Sequence, residues 1–420
     1  MCANVFTRAL GFALRVTMSR LMGAEALGVM ELSHSAHMLS VAPMTAGLPM
    51  AVSRMTARDG HDGALRAGRQ LIGRMSAICL PLWLVLSPVI AWLLGDMRVL
   101  PALWAFTPCM VILGLSAVYN GYCYGLGNAW PPALSEMLEQ TLRMMLTAAL
   151  LMGLPMLTTA GRAAVPAVST AIAELMGLAL VVWLLRRGHV RADDTALPAA
   201  RREIVRLSLP LTVSRLLTTF LRAATGALIP QRLMASGLSN AAATGALGML
   251  QGMVMPVLFL PGIVTGALGT VGAPAVAARS GNARQRVAVK LFASAIACGL
   301  TGMMLVRCLS GFLAEKVYGL PELRRLFDHA APLTLFFTLQ HAVNSVLSGL
   351  GEQKRALLPS FAGALVSLGC MYVWAAQPQW RILGVVRAMI LSQAATLVWS
   401  LGRLLFLLKE NEGMQKAPAR

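Results

Sequence analysis

Long apolar runs separated by short polar connections dominate this chain. Four stretches, Met75–Gly95, Val99–Ser135, Leu233–Ala278 and Ala356–Trp380, contain no Asp, Glu, Lys or Arg. Each is long enough to cross a hydrocarbon core about 30 Å thick, which takes about 20 helical residues. Segmentation by that rule predicts twelve spans: 5–22, 28–53, 72–94, 100–124, 132–156, 164–185, 206–229, 242–272, 289–312, 330–350, 356–376 and 382–408. The fold class is therefore an all-α polytopic membrane protein of about twelve transmembrane helices in two six-helix lobes.

Composition agrees. The chain is 57% hydrophobic and 13% charged, with a mean hydropathy of +0.68, far from the charge content of soluble domains. The net charge of +19 would suit nucleic acid, but its placement argues against that partner. With the N-terminus inside, the cytoplasmic connections and tail, counted with the span-end residues Arg74, Arg206 and Lys290, hold 20 basic residues, against 8 in the outer connections counted with Arg20. The positive-inside rule then places both termini in the cytoplasm of a plasma-membrane protein, and the basic excess is topology plus attraction to anionic lipid. Arg8 and Arg15 interrupt the first apolar segment, so it reads as a retained helix rather than a cleavable signal.

The longest polar stretch, Arg186–Arg206, falls near the middle. It divides the chain into an N-terminal lobe (1–188), a cytoplasmic linker (189–205), a C-terminal lobe (206–408) and a cytoplasmic tail (409–420). An internal repeat supports the division. Thr7-Arg8-x-Leu10-x-x-x-Leu14-Arg15 matches Ser214-Arg215-x-Leu217-x-x-x-Leu221-Arg222, and Arg20-Leu21-Met22 recurs as Arg232-Leu233-Met234. Pro49 with Arg54 recurs as Pro274 with Arg279, and Asn120-x4-Gly125-Leu126-Gly127 as Asn344-x4-Gly349-Leu350-Gly351. The order is kept at offsets of 207 to 225. Both copies start on the same side, which makes the repeat parallel and puts the expected substrate path between the halves.

The repeated arginines carry the main chemical signal. Seven residues is close to two helical turns, so each pair lies on one helix face. An arginine at the centre of a membrane helix costs about 2.5 to 3.5 kcal/mol on insertion scales. Arg8, Arg15, Arg20, Arg215 and Arg222 are thus candidate ligands for an anion, guanidinium being planar, permanently charged and suited to bidentate phosphate contacts. Snorkelling to the interface is the structural alternative, open to Arg8 and Arg20 near helix ends and less so to mid-helix Arg15. In the fifth span Glu136, Glu139, Gln140 and Arg143 form one stripe, with Glu139–Arg143 at ion-pair spacing. That stripe would line the cavity or serve as a structural pair. Glu31 and Glu174 are further candidates for relaying a coupling ion. Pro256 and Pro261, followed by Gly262, Gly266 and Gly269, mark a bendable or closely packed eighth span.

Catalytic and metal chemistry find no constellation. The seven cysteines (Cys2, Cys79, Cys109, Cys123, Cys298, Cys308, Cys370) are scattered, and the histidines lack Cys or acidic partners at ligand spacing. No phosphate loop is present, because the Gly121–Gly127 run lacks the Gly-Lys-Ser/Thr ending; it reads as a tight interhelical turn. The chain is thus expected to be no enzyme and to hold no cofactor, with H+, Na+ or the membrane potential as its coupling source.

These residues resemble a known family. Leu10-Gly11-Phe12-x-x-Arg15, Arg20-Leu21-Met22-Gly23-x-Glu25-x-Leu27-Gly28 and Ala46-Gly47-Leu48-Pro49-x-Ala51-Val52-Ser53-Arg54 are similar to the opening of the stage V sporulation protein B family. Gly125-Leu126-Gly127-Asn128 with Pro132, Ser135 and Glu139-Gln140-x-x-Arg143, then Ile229-Pro230-x-Arg232-Leu233 and Pro256-x-x-Phe259-Leu260-Pro261, extend the resemblance along nearly the whole chain. It implies the polysaccharide-biosynthesis branch of the superfamily that holds multidrug-and-toxin extruders and lipid II flippases. Two six-helix lobes in a V, alternating access and a role in sporulation cell-wall work follow from it. Arg15 and Arg20 match arginines lining the cavity of related lipid flippases. Members often carry two further C-terminal helices, whereas this chain ends after the twelfth span.

The leading expectation is a flippase for an undecaprenyl pyrophosphate-type lipid-linked saccharide, acting as a monomer among membrane lipids and in contact with cell-wall synthesis machinery. A drug/cation antiporter shares the fold but calls for a first-helix carboxylate, which this first helix lacks. A non-transporting envelope scaffold is the third class.

Overall fold

The computed structural model describes residues 2–59, 63–186, 197–352 and 357–416, and no strand forms among them. Packing divides them into two compact units, Met1–Gln231 with Asn240–Gly248, and Arg232–Ser239 with Met249–Arg420. The first unit contains α1 (Cys2–Thr45), α2 (Leu48–Asp59), α3 (Gly63–Leu93), α4 (Leu100–Ala105), α5 (Thr107–Gly125), α6 (Trp130–Gly153), α7 (Thr159–Arg186), most of α8 (Leu197–Ala235) and α9 (Asn240–Leu247). The second contains α10 (Met255–Leu258), α11 (Leu260–Ala277), α12 (Gly281–Phe312), α13 (Leu323–Ala330), α14 (Pro332–Gly349), α15 (Leu357–Trp374) and α16 (Arg381–Lys416). Residues 189–196 of the expected linker lie outside the described residues, and 197–205 already belong to α8.

Local sequence explains where the helices begin and end. Few starts use side-chain caps. Instead Pro101, Pro108, Pro131, Pro256, Pro261 and Pro332 occupy the first turn of their helices, where a missing N–H costs nothing and φ is already helical. Glycine ends them. In α1, Gly23 at φ 78° and ψ 168° breaks the helix into two arms. Between α8 and α9, Gly237 at φ 93° makes the corresponding break.

The expected turn at Gly121–Gly127 is a helix C-terminus of the Schellman type, with Gly127 at φ 72°. Leu126 N–H donates to the Tyr122 carbonyl, and Asn128 N–H reaches back to the Cys123 carbonyl at 3.0 Å. The same bond pattern recurs at the end of α14, with Gly351 at φ 78°, Leu350 N–H on the Val346 carbonyl and Glu352 N–H on the Leu347 carbonyl at 3.0 Å. Both satisfy carbonyls that a helix end would leave bare. The repeated glycines before each cap also permit close packing. A Cβ on Gly125 would lie 2.6 Å from the Ser53 carbonyl and against Thr56, and one on Gly349 would lie 2.6 Å from the Ala273 carbonyl and against Val276. Ser53 thus corresponds in packing to Ala273, an offset of 220, so the sequence match of Arg54 with Arg279 is five residues out of register.

By length and apolarity, seven helices among the described residues qualify as membrane spans, or eight counting the pair Met97–Ala105 and Thr107–Gly125, bent by 43°. The twelve predicted spans all fall on helices, but several miss that threshold. The shortfall lands on α1 and α6, which carry the ionisable residues of the candidate site, on α14 with Gln340, His341 and Asn344, and on α15, whose apolar part is short. The predicted span 242–272 is subdivided: a π-helical segment Gly248–Val254 precedes Pro256, and the chain breaks again at Phe259 before Pro261. The Tyr318 hydroxyl donates to the Met253 carbonyl at 3.1 Å, one of the groups that π geometry loosens from the helical ladder.

Candidate functional site

The candidate site residues of the first unit come together on α1, α6 and α7. The Gly23 break folds the second arm of α1 back along the first, so that Arg15 Nη1 donates to Glu31 Oε1 at 2.6 Å. The Arg15 side chain is 35% exposed and that of Glu31 only 8%. This is an ion pair with one wet and one dry member. On α6, Arg143 Nη2 donates to Glu174 Oε1 of α7 at 2.6 Å. The expected i,i+4 pair with Glu139 gives way to this contact because Glu139 is engaged elsewhere. The Ser135 hydroxyl donates to Glu139 Oε1 at 2.5 Å, and the carboxylate lies over Gly177 of α7, where any Cβ would overlap it. Gly177 therefore lets α7 approach α6 closely enough for Glu174, one turn earlier, to reach Arg143.

His34 stands near both arginines. It lies one turn beyond Glu31 on α1, within electrostatic reach of Glu31, Arg15 and Arg143. His37 stacks on the Phe106 ring at 4.2 Å, where α4 gives way to α5. The sequence offered a signal for His34, the i,i+3 spacing from Glu31. That spacing is inconspicuous without the neighbouring helices. Glu136 is the exposed member of the α6 stripe and stands within electrostatic reach of Glu139 and Glu174.

A second cluster was missed from sequence. Arg98 pairs with Glu25 at the start of the second arm of α1 and, at 2.6 Å, with Asp96. Asp96 also caps the following turn through Arg98 N–H and accepts from Thr244 of α9 at 3.4 Å. The only sequence hint is that Asp96 and Arg98 interrupt two long charge-free runs. Next to this cluster α1 and α9 cross at backbone distance: a Cβ on Gly28 would overlap the Thr244 carbonyl, and one on Gly248 the Ala24 carbonyl.

The arginines of α8 are placed differently. Ser208, Arg215, Arg222 and Gly226 follow at spacings of seven, seven and four, which keeps them on one helix face. The two ends of that strip approach α1 and the bend that follows it, Ser208 at Gly47 between α1 and α2 and Gly226 at Ser35 on the second arm of α1. Between these approach points Arg215 and Arg222 are exposed, and their guanidinium groups have no hydrogen-bond or ion-pair partner among the described residues. The Ser35 hydroxyl in turn donates to the Glu31 carbonyl at 2.8 Å. The α8 strip thus ends one turn from the carboxylate that holds Arg15. Arg20 is exposed on the first arm of α1. The side chain of Arg8 lies outside the described residues, although its backbone belongs to α1.

Comparison with known proteins agrees with this arrangement of helices. The profile of the family described as polysaccharide biosynthesis protein matches residues 1–280. The chain is 29% identical over 409 residues to stage V sporulation protein B of Bacillus subtilis (strain 168), covering 92% of this chain and 79% of that protein. It is 22% identical over 205 residues to sporulation protein YkvU of the same organism, covering 48% of this chain and 45% of that protein. Among solved structures, lipid II flippase MurJ in an inward closed conformation superposes with a TM-score of 0.76 at 12% identity, over 96% of this chain and 86% of that one. An inward-facing multidrug resistance MATE family transporter of the MOP superfamily gives 0.71 at 17% identity, over 96% of both chains. The fold is that of the MATE and MurJ proteins, and the protein is multi-pass in the membrane.

Proposed function

Because the chain belongs to the polysaccharide biosynthesis protein family, we propose that it is a flippase for a lipid-linked saccharide, carrying an undecaprenyl pyrophosphate-type precursor from the inner to the outer leaflet by alternating access. Family and fold together support a membrane flippase or transporter; the substrate class is our reading of the arginines. The observation that carries it is the strip on α8, where Arg215 and Arg222 are exposed on a face that meets α1 at Ser35 and the α1–α2 bend at Gly47 and have no counter-charge among the described residues. A guanidinium without a carboxylate is ready for an external anion, and pyrophosphate oxygens match its bidentate geometry.

In this reading the two six-helix halves, 1–188 and 206–408, alternate around the site. The Arg15–Glu31 pair acts as a switch: Arg15 turns from Glu31 to the pyrophosphate when substrate is present, and returns when it leaves. His34, Arg143 and Glu174 hold the freed Glu31 charge in a polar network, and Glu31 or Glu174 takes the coupling H+ or Na+ if one is used. The protein works as a monomer in the plasma membrane with both termini cytoplasmic. It serves cell-envelope or sporulation wall synthesis alongside the enzymes that make the precursor.

The test is translocation of a lipid-linked saccharide in proteoliposomes by Arg215→Ala, Arg222→Ala and the double variant. Each lost charge-assisted phosphate contact is worth about 1.5 to 3 kcal/mol, so each single variant is expected to slow flipping about tenfold or more. Unchanged flipping at equal protein incorporation would remove the phosphate role.

A further inference from the structure

A second basic cavity lies away from the α1–α8 site, and the proposed transport function does not use it. It opens on the flank of the first unit where α3, α5 and α7 meet, with a volume of about 580 Å³. Arg66, Arg69 and Gln70, all in the first turns of α3, form its polar rim. Its floor is apolar: Tyr119 and Leu178 belong to a buried cluster with Cys123 and Val181, against which Leu115 and Val182 pack. The Arg69 guanidinium stands 6.0 Å over the Tyr119 ring, which holds the charge at the mouth of the cavity.

Depth along α3 places this cavity in the bilayer. Beyond Arg74 the helix has no charge until Asp96. Ile78, Val85 and Trp92, spaced seven apart on one face, are at least 70% exposed, as a lipid-facing stripe requires. Trp92 is 23 residues from Arg69, about 35 Å of helix rise, which matches one hydrocarbon thickness. Trp92 thus marks one interface and Arg66 with Arg69 the other. The basic connections identify the latter as the cytoplasmic side, where the leaflet is anionic.

We infer that this cavity binds the phosphate headgroup of an anionic phospholipid of the inner leaflet, with Arg66, Arg69 and Gln70 on the phosphodiester and the Leu115–Leu178 wall against the first part of the acyl chains. A charged rim over an apolar floor at headgroup depth fits an amphiphile. A soluble anion would gain nothing from that floor.

The probe is phosphatidylglycerol against phosphatidylcholine, scored by native mass spectrometry of the protein released from nanodiscs holding equal amounts of both. At about fivefold per arginine, the wild-type protein is expected to retain one phosphatidylglycerol with about 25-fold preference. Arg66→Ala/Arg69→Ala is expected to abolish the preference, and excess inorganic phosphate to leave the bound lipid in place. Equal retention of the two lipids by the wild type overturns the site. So does an unchanged preference in the double variant, and displacement by inorganic phosphate would make it a site for a soluble anion instead. Should the double variant lose monodispersity, Leu178→Trp fills the apolar wall and keeps both arginines; loss of lipid retention then supports the site and undiminished retention overturns it.

Discussion

Arg15 and Arg222 occupy matching places in the two copies of the repeat, yet they stand in opposite electrostatic situations. Arg15 is bonded to Glu31, a carboxylate 8% exposed on the returning arm of the same helix. Arg222 is exposed with no partner among the described residues, and the chain that follows α8 offers none, since Leu233–Ala278 contains no charged residue. One copy of the repeat neutralises its arginine and the other leaves it open. A symmetric pair of binding arginines would hold an anion tightly in every state. An asymmetric pair can grip from one side and let the other side answer to Glu31.

The largest expected difference between the copies is in stability. Arg15→Ala strands the buried Glu31 carboxylate. Breaking a buried pair costs 3–5 kcal/mol, and the partial exposure of Arg15 reduces that to about 2 kcal/mol. Arg222→Ala removes an exposed side chain and is expected to stay within about 0.5 kcal/mol. Thermal unfolding of the two variants in the same detergent reads the contrast directly. Equal losses would mean that Arg222 also has a structural partner, and the distinction between the copies would fail.

Glu31→Gln sharpens the comparison from the other side by making the first copy resemble the second. An amide keeps the size of the side chain but releases Arg15 to act on an external anion. Binding of a lipid-linked saccharide, measured by its protection against heat unfolding, is expected to strengthen about fivefold, the gain of one partly exposed charge contact of about 1 kcal/mol. Turnover is expected to fall, because a substrate held more tightly in the starting state leaves more slowly. Binding weaker than in the wild type would show that Glu31 assists Arg15 rather than competing with the substrate.

How much of this was legible in the sequence depends on how local each cause is. Helix positions were readable from charge-free runs, and the caps at Gly127 and Gly351 from glycines at matching places, because backbone conformation answers to the residue itself. The individual partners were not. Glu139 and Arg143 stand at ion-pair spacing, but Gly177 on another helix admits Glu174 and redirects Arg143. Glu25, Asp96 and Arg98 meet only after the chain has folded back at Gly23 and passed through α3. The register of the second helices was misread for a similar reason. Pro and Arg recur at an offset of 225, while the closely packed carbonyls of Ser53 and Ala273 recur at 220, and packing selects small contact surfaces rather than matching letters.

The smallest effect tests what the copies share. Gly127 and Gly351 end their helices at φ 72° and φ 78° with the same bond pattern, and neither has a neighbouring atom within 4 Å of where a Cβ would stand. Alanine at either position therefore meets no steric obstacle beyond its own backbone, whose left-handed conformation costs about 1 kcal/mol. Gly127→Ala and Gly351→Ala are expected to lower the unfolding temperature by similar, small amounts and to leave flipping unchanged. Equality would show that the repeat preserved its helix-end geometry while its electrostatics diverged. A much larger loss at Gly351 than at Gly127 would place the divergence in the scaffold as well, and the arginine contrast would then be one expression of a broader asymmetry between the copies.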